Sequence, residues 1–366
     1  MKPSRPSVPT LGFFPDYSRS NPYQQIIYSR LGQYGFNAVP VPDHLRSLVP
    51  EGFGPDLSRY TLHIHWTTPI VQRAPGPIEA LARLQAFAHH VETLQSHGAS
   101  IIWTIHNAVP HECPYWSLEV ELCRLLAARA DVIHIMDRST TEAVEHLYEL
   151  PPEKLALVPH PSYIDVYPDL ITRDEARDRL GLHSEEVVLT MMGELRPYKG
   201  LDLLLEAFDT AWAQDPRLRL VVVGRQQPGL GMEDVVRACA LHPAVQVHTG
   251  FVPADDVQIW LRASDLMVLP YRGVLNSGAF HLALTFGLPV LVPRAGSLGR
   301  LADDSFVRTF EPGSERSLAE AVLAGVRDLL GPESRRAAHR AAAKVAPADI
   351  AAEFGTLLRT RVFHQL

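Results

Sequence analysis

The chain has 366 residues, 46% hydrophobic and 20% charged, with 41 acidic against 34 basic side chains and a formal charge of −7. That length allows two domains with cores of their own. The acidic balance argues against nucleic acid as the main partner, because phosphate backbones need basic surface. Cys113, Cys123 and Cys239 show no CxxC spacing, which suggests free thiols in a reducing compartment. No window approaches the roughly 20 apolar residues of a membrane span, and the N-terminal stretch lacks an apolar run of signal-peptide length. A cytoplasmic location is expected, and peripheral contact with the inner face of a membrane is compatible with it.

In chain order, Val8–Phe14 reads as a strand, followed by a loop through Asp16 and Asn21 and a helix beginning near Pro22. Ile26, Ile27 and Leu31 continue that helix, and Gly32 or Gly35 ends it. Asn37–Val41 and the alternating Leu62–Trp66 (LHIHW) are the next strands. Pro77–His97 is an amphipathic helix closed by Gly98, and Ser100–Ile105 a strand ending at His106. A helix over Glu119–Ala130, a strand over Asp131–Met136 and a helix over Ser139–Leu150 complete the first half. Ser139 with Glu142 has the spacing of a capping box. Leu155–Pro168, strand-like and then rich in proline and tyrosine, is taken as a linker.

A second alternating series follows. Strands are expected over Val187–Met192, Leu218–Val223, Val245–His248, Leu266–Leu269 and Val290–Val292. Helices are expected over Leu201–Ala213, Met232–Leu241, Asp255–Arg262, Ser277–Phe286 and Ser317–Leu330, with a helical Ala/Arg-rich tail. Strands alternating with helices indicate parallel, doubly wound sheets. The domains are placed at 1–163 and 164–345, with 346–366 a C-terminal helix that can pack back on the first domain.

The stretch MMGELRPYKGLDLLLEAF, Met191–Phe208, passes from a strand end through glycine to Arg196 and Lys199 and then into a helix. Leu201, Leu204, Leu205 and Phe208 give that helix its apolar stripe. A basic loop before a helix N-terminus suits an anion, and a nucleoside diphosphate fits best. Lysine occurs only at Lys2, Lys154, Lys199 and Lys344 in a chain that otherwise prefers arginine, so Lys199 in this turn stands out. The same residues would also serve an ordinary βα turn with two solvated cations.

Gly193 to Lys199–Gly200 followed by LDLLLEAF, then LVVVG (Leu220–Gly224), TGFVP (Thr249–Pro253), ASDLMVLPY (Ala263–Tyr271) and FGLPV (Phe286–Val290), occur in one register. In that order they resemble the donor domain of a GT-B glycosyltransferase, most like the large retaining group 4 family. WTIHNAVPHE (Trp103–Glu112) is similar to the strand-end histidine motif of some bacterial exopolysaccharide transferases. The resemblance implies two facing Rossmann-like domains with parallel sheets. The sequence departs from the family in two places. The paired glutamates, E-x7-E, would fall near Val274 and Leu282, neither of which is acidic, and Glu194 stands where an arginine is usual. The retained SGA turn is more like exopolysaccharide-type mannosyl- or glucuronosyltransferases.

The resemblance distributes roles over these residues. Arg196, Lys199, Asn276, Ser277 and Gly278 would hold the donor diphosphate, Ser277 also being a natural helix cap. Gly224, Arg225 and His281 would lie along the nucleoside. His106 would meet a donor hydroxyl, Glu112 or His111 would act as base or orient the acceptor, and Asp16 would be the base if the reaction inverts. Asn21, His63 and His65 are assigned to the acceptor. The two histidines alternate along a strand, and no carboxylate or cysteine accompanies them at ligand spacing, so no metal is expected.

The expected activity is metal-independent glycosyl transfer without a cofactor. The donor would be a nucleotide sugar, GDP-mannose before a UDP-sugar, and the acceptor a saccharide or polyprenyl-linked saccharide. An epimerase of the same fold and a non-catalytic sugar-nucleotide-binding relative are the alternatives. A dinucleotide dehydrogenase is disfavoured because neither half carries GxGxxG after its first strand.

Overall fold

The computed structural model describes residues 8–41 and 56–363, and these contain two six-stranded sheets in which every pairing is parallel. The first sheet comprises β1 (Thr10–Phe14), β2 (Asn37–Pro40), β3 (Tyr60–Ile64), β4 (Ser100–Thr104), β5 (Val132–Ile135) and β6 (Leu155–Leu157), in the order β2-β1-β3-β4-β5-β6. The second comprises β7 (Val187–Met192), β8 (Leu218–Val223), β9 (Val245–His248), β10 (Leu266–Val268), β11 (Val290–Pro293) and β12 (Val307–Phe310), in the order β12-β11-β10-β7-β8-β9. Contacts divide the chain into one unit running to Pro161 and resuming at Pro347, and a second unit from Ser162 to Ala346. Among the described residues no helix is long and apolar enough to cross a membrane.

The β7 sequence VVLTMM is apolar at nearly every position because both faces of its sheet are covered. Val187, Leu189 and Met191 join a core with Leu204, Phe208 and Val322, from helices Leu201–Trp212 and Glu315–Asp328. Val188 and Met192 join the opposite core with Leu261, Ala283 and Ala338, from helices Val257–Ala263, Gly278–Thr285 and Pro332–Ala343. In the order of this sheet, β7 has β10 on one side and β8 on the other. The chain therefore reverses its direction of winding at β7, and the loops leaving β7 and β10 flank a crevice at the carboxyl edge. The first sheet has its reversal between β1 and β3.

Two sequence expectations need correction, and one helix was not anticipated. Ser139 does not cap its helix. Arg138 takes the cap position without a side-chain bond, Asp137 Oδ1 accepts from the Ser139 amide at 2.8 Å and hydroxyl at 2.6 Å, and the helix is only Ser139–Val144. The first helix ends at Tyr28, and a 3₁₀ turn, Leu31–Tyr34, leads to left-handed Gly35. The unit boundary falls within the expected linker, and beyond it lies a helix, Arg173–Leu180, that has no apolar stripe. It is held instead by a capping box between Thr172 and Glu175 and by the fully buried Arg177.

Arg177 donates to the carbonyls of Ala263, His183 and Glu186, and its guanidinium meets Asp265 Oδ2 at 2.6 Å. The same Asp265 oxygen accepts the Val188 amide at 2.8 Å, so the pair pins the start of β7 to the region before β10. Asp265→Asn should lower unfolding free energy by about 3–5 kcal/mol, the cost of stranding a buried guanidinium. Urea denaturation checks this, and a loss below about 1 kcal/mol would mean the network is not what braces the strand.

Candidate functional site

Beyond the end of β7 the ladder to β8 continues: the Gly193 amide bonds the Val223 carbonyl at 2.8 Å and the Leu195 amide the Arg225 carbonyl at 3.0 Å. Two glycines make this close approach possible. A Cβ on Gly224 (φ 154°) would lie 1.8 Å from the Gly193 carbonyl oxygen, and one on Gly193 (φ 125°) would lie 2.6 Å from Lys199 Nζ. The lysine ammonium therefore sits in the space that a side chain at Gly193 would fill. Lys199 is buried. Burial brings its pKa down to about 8, with Glu194 pulling up and Arg196 pulling down.

Glu194 is the centre of this loop's charge. Arg196 donates to its Oε2 from Nε at 3.1 Å and from a terminal nitrogen at 2.9 Å. Arg225 donates to Oε1 at 2.5 Å and Gln227 to the same oxygen at 3.1 Å. Burial raises the Glu194 pKa, but the hydrogen bonds from Arg225 and Arg196 outweigh it and hold the carboxylate below its ordinary range. Three cations thus surround one carboxylate, and an excess of positive charge is left at the sheet edge.

The loop after β10 abuts the same place. The Arg272 amide bonds the Tyr198 carbonyl at 2.8 Å, Arg272 also donates to the Pro197 carbonyl, and the rings of Tyr198 and Tyr271 are 6.0 Å apart. Ser277 caps the helix Gly278–Thr285 by accepting from the Phe280 amide at 3.1 Å, and its hydroxyl lies 3.4 Å from that of Tyr271. Lys199, Arg196 and Arg225 are therefore gathered on one loop system, with Ser277 joined to it through Tyr271. His281 lies one turn into that helix, its amide reaching the Ser277 carbonyl at 3.4 Å. Asn276 and Gly278 flank the cap, half-buried.

The carboxyl edge of the first sheet is aromatic instead of cationic. His106 lies flat on Trp66, with centroids 4.1 Å apart and planes within 17°, and Tyr17 packs against the same Trp66 at 5.2 Å. His65 Nδ1 meets His106 Nε2 at 3.0 Å. His65, Trp66, Thr104, His106, Asn107 and Pro110 line part of a small, solvent-open pocket. Glu112 is half-buried further along the loop after β4. Asp16 is exposed and accepts from the Ser18 amide at 3.0 Å and hydroxyl at 2.6 Å, so it closes its own turn.

One acceptor assignment needs correction. His63 is fully buried, bonded to Tyr28 and Thr104 and stacked at 5.3 Å on Phe354 of the C-terminal helix Pro347–Leu357, so a ligand cannot touch it. Asn21, half-buried, is the N-cap of helix Pro22–Tyr28, its side chain accepting from the Tyr23 amide at 3.0 Å, and its assignment to the acceptor is left as it stood. His65 lines the pocket but is almost wholly buried. Sequence reasoning missed Trp66, Tyr28, Thr104 and His134. Thr104 and His134, polar residues at buried positions of the largely apolar SIIWT and VIHI, were the available signal.

The family profile described as "Glycosyl transferases group 1" matches residues 186–328, from the edge of β7 through the helix Glu315–Asp328. The GDP-mannose:glycolipid 4-beta-D-mannosyltransferase of Xanthomonas campestris pv. campestris is 30% identical over 277 residues, covering 74% of this chain and 73% of that protein. The chain belongs to the group 1 glycosyltransferases. A sucrose-phosphate synthase from Thermosynechococcus elongatus has the same fold, with TM-score 0.72 at 15% identity over 98% of this chain and 100% of that one. HepE of Anabaena, solved with UDP and glucose, aligns with TM-score 0.71 at 15% identity over 96% of this chain and 100% of that one. The fold of this glycosyltransferase is GT-B, with a six-stranded parallel sheet in each unit.

In this glycosyltransferase the glycine contact between β7 and β8 is the tightest glycine approach at the carboxyl edge of the second sheet. Gly224→Ala adds a methyl group where only a carbonyl oxygen fits, at a backbone angle that L-residues avoid. Its expected cost is roughly 2–4 kcal/mol of stability, read as a fall in thermal midpoint. An unchanged midpoint would show that the two loops separate freely.

Proposed function

We propose that this glycosyltransferase moves mannose from GDP-mannose to a saccharide or lipid-linked saccharide, with no metal or other cofactor. The observation that carries the reading is the buried Lys199 grouped with Arg196 and Arg225 at the switch point of the second sheet. The named activity of the Xanthomonas relative supports the donor. A UDP-sugar is the second choice, in keeping with the nucleotide in the HepE structure.

In this reading the leaving diphosphate gains charge as the glycosidic bond breaks. Fixed cations and the amides at Ser277–Gly278 stabilise that charge without having to reorganise, which is the largest catalytic contribution the residues offer. Glu194 keeps Arg196 and Arg225 oriented before the donor arrives and moderates their charge, so the diphosphate competes with it for the guanidinium donors. Gly224 leaves backbone room beside the nucleoside, and Arg225 and His281 are assigned to it. The acceptor is assigned to the first unit, where the Trp66–His106 platform offers the flat apolar face and adjacent hydrogen-bonding group that a sugar ring needs. The exopolysaccharide-type role, the cytoplasmic location and peripheral contact with a membrane belong to this proposal as well.

The relative's name carries a β-linked product. A β-mannoside made from an α-linked donor requires inversion, and inversion requires a base for the acceptor hydroxyl. The absence of acidic residues at Val274 and Leu282 agrees with a departure from the retaining pattern. Asp16 and Glu112, the carboxylates in the loops after β1 and β4, are the proposed bases. Asp16→Asn or Glu112→Gln, whichever removes the base, should lower kcat by roughly 10²–10⁴-fold with donor affinity retained. Steady-state kinetics on both variants decides between them, and near-normal kcat in both would remove carboxylate base catalysis from the reading.

Lys199→Ala should weaken GDP roughly 10- to 100-fold while changing guanosine binding little. The pH dependence has a definite sign. The free ammonium loses its proton as pH rises through about 8, so GDP affinity should fall there. An arriving diphosphate favours the charged form, so binding near that pH should take up protons. Calorimetry in two buffers of different ionisation enthalpy reads this uptake. Equal loss of GDP and guanosine in the variant, or no uptake in the unsubstituted protein, would count against the phosphate role.

A further inference from the structure

The buried polar groups beneath His106 form one continuous hydrogen-bonded chain. His106 Nε2 meets His65 Nδ1 at 3.0 Å, His65 Nε2 meets the Tyr28 hydroxyl at 2.5 Å, and that hydroxyl meets His63 Nδ1 at 2.8 Å. His63 Nε2 meets the Thr104 hydroxyl at 2.6 Å, which meets His134 Nδ1 at 2.9 Å, and His134 Nε2 ends the chain on the Val158 carbonyl at 2.9 Å. A carbonyl oxygen only accepts, so its partner must donate. This fixes the direction of every link when the rings are neutral. His134 carries its proton on Nε2 and accepts from Thr104, and Thr104 accepts from His63 Nε2. His63 then accepts from Tyr28, Tyr28 accepts from His65 Nε2, and His65 accepts from His106 Nε2.

Neutrality is the state the surroundings favour. Desolvation, reinforced by the charges the neighbouring rings would carry, lowers His63, His65 and His106 well below the ordinary histidine range, and burial takes His134 down to about 4. Phe354 covers His63 and His134, at 5.3 and 5.7 Å. His160, packed against Tyr23, turns the other way, with its Nδ1 2.7 Å from the Pro161 carbonyl.

We propose that Tyr28, His63, His65, Thr104 and His134 are positioning residues, a one-way hydrogen-bond chain anchored on Val158 that locks His106 as the Nε2–H tautomer. His106 Nδ1 is then a hydrogen-bond acceptor. Any substrate group bonding to that nitrogen at the pocket must be a donor such as a sugar hydroxyl, and a phosphate or carboxylate oxygen is disfavoured there. The consequence for turnover rests on the mannosyl-transfer reading, but the tautomer itself does not.

Ring-nitrogen NMR of the ligand-free protein labelled with ¹⁵N-histidine reads the tautomers directly, with His→Gln variants for assignment. His63, His65, His106 and His134 are all expected as Nε2–H and His160 as Nδ1–H. An Nδ1–H form at any of the first four overturns the proposal. Thr104→Val cuts the link to the anchoring carbonyl and makes both directions of the remaining chain available. His106 should then show mixed tautomers, while Thr104→Ser restores the single one. Transfer from GDP-mannose should follow, with kcat lower by roughly 10- to 100-fold in the valine variant, KM for donor within about twofold, and recovery in serine. A valine variant that keeps both the His106 tautomer and kcat overturns the positioning role. If the unsubstituted protein transfers no sugar while its spectra show the expected tautomers, the mannosyl reading fails and the lock stands.

Discussion

A parallel sheet covered by helices on both faces leaves polar chemistry its carboxyl edge, and that constraint arranges this protein. In β7 every residue is buried, with alternate side chains feeding two separate cores. Charge inside either core would carry a heavy desolvation cost. The charged loop therefore begins where the strand ends, at Gly193, and the glycines there let two backbones meet so closely that Lys199 can occupy the space beside them. The buried Arg177–Asp265 pair obeys the same logic, since nearly every donor of the guanidinium faces a carbonyl or carboxylate.

The two edges solve their electrostatics in opposite ways. On the second sheet three cations share one carboxylate, and the hydrogen bonds to Glu194 are strong enough to reverse the effect of burial on its acidity. On the first sheet the polar groups are neutral rings and hydroxyls passing hydrogen bonds to one another. Charging one of them would place a cation among buried aromatic neighbours. The first arrangement suits a ligand that brings negative charge, and the second a ligand with hydroxyls and apolar ring faces.

The fold was largely legible because both halves show the strand–helix alternation that parallel sheets require. Several second-half strands were readable to the residue, as at Val187–Met192 and Leu218–Val223, because they are continuous apolar runs between turn signals. What escaped were elements held by polar contacts. RDEARDRL has no apolar periodicity, so the helix Arg173–Leu180 was invisible to a pattern search, although T-x-x-E marked its start. The same spacing at Ser139 was misleading, because Asp137 two residues earlier makes the bonds first. At the sites, Lys199 and Ser277 could be singled out from local sequence because their settings are local. The surroundings of His63 could not, because they depend on Tyr28, Thr104 and Phe354, far apart in the chain.

Glu194 shows why a departure from a family pattern is better read through its contacts than as a loss. An acid in place of arginine would by itself weaken an anion site. Here the carboxylate draws Arg196 from two residues away and Arg225 from the neighbouring strand end onto one point, with Gln227 beside them. Glutamate in place of arginine removes a positive charge and adds a negative one, and in return two guanidinium groups are oriented. Arg196 already points two nitrogens at one carboxylate oxygen and Arg225 one nitrogen at the other, donors that suit the oxygens of an anionic ligand.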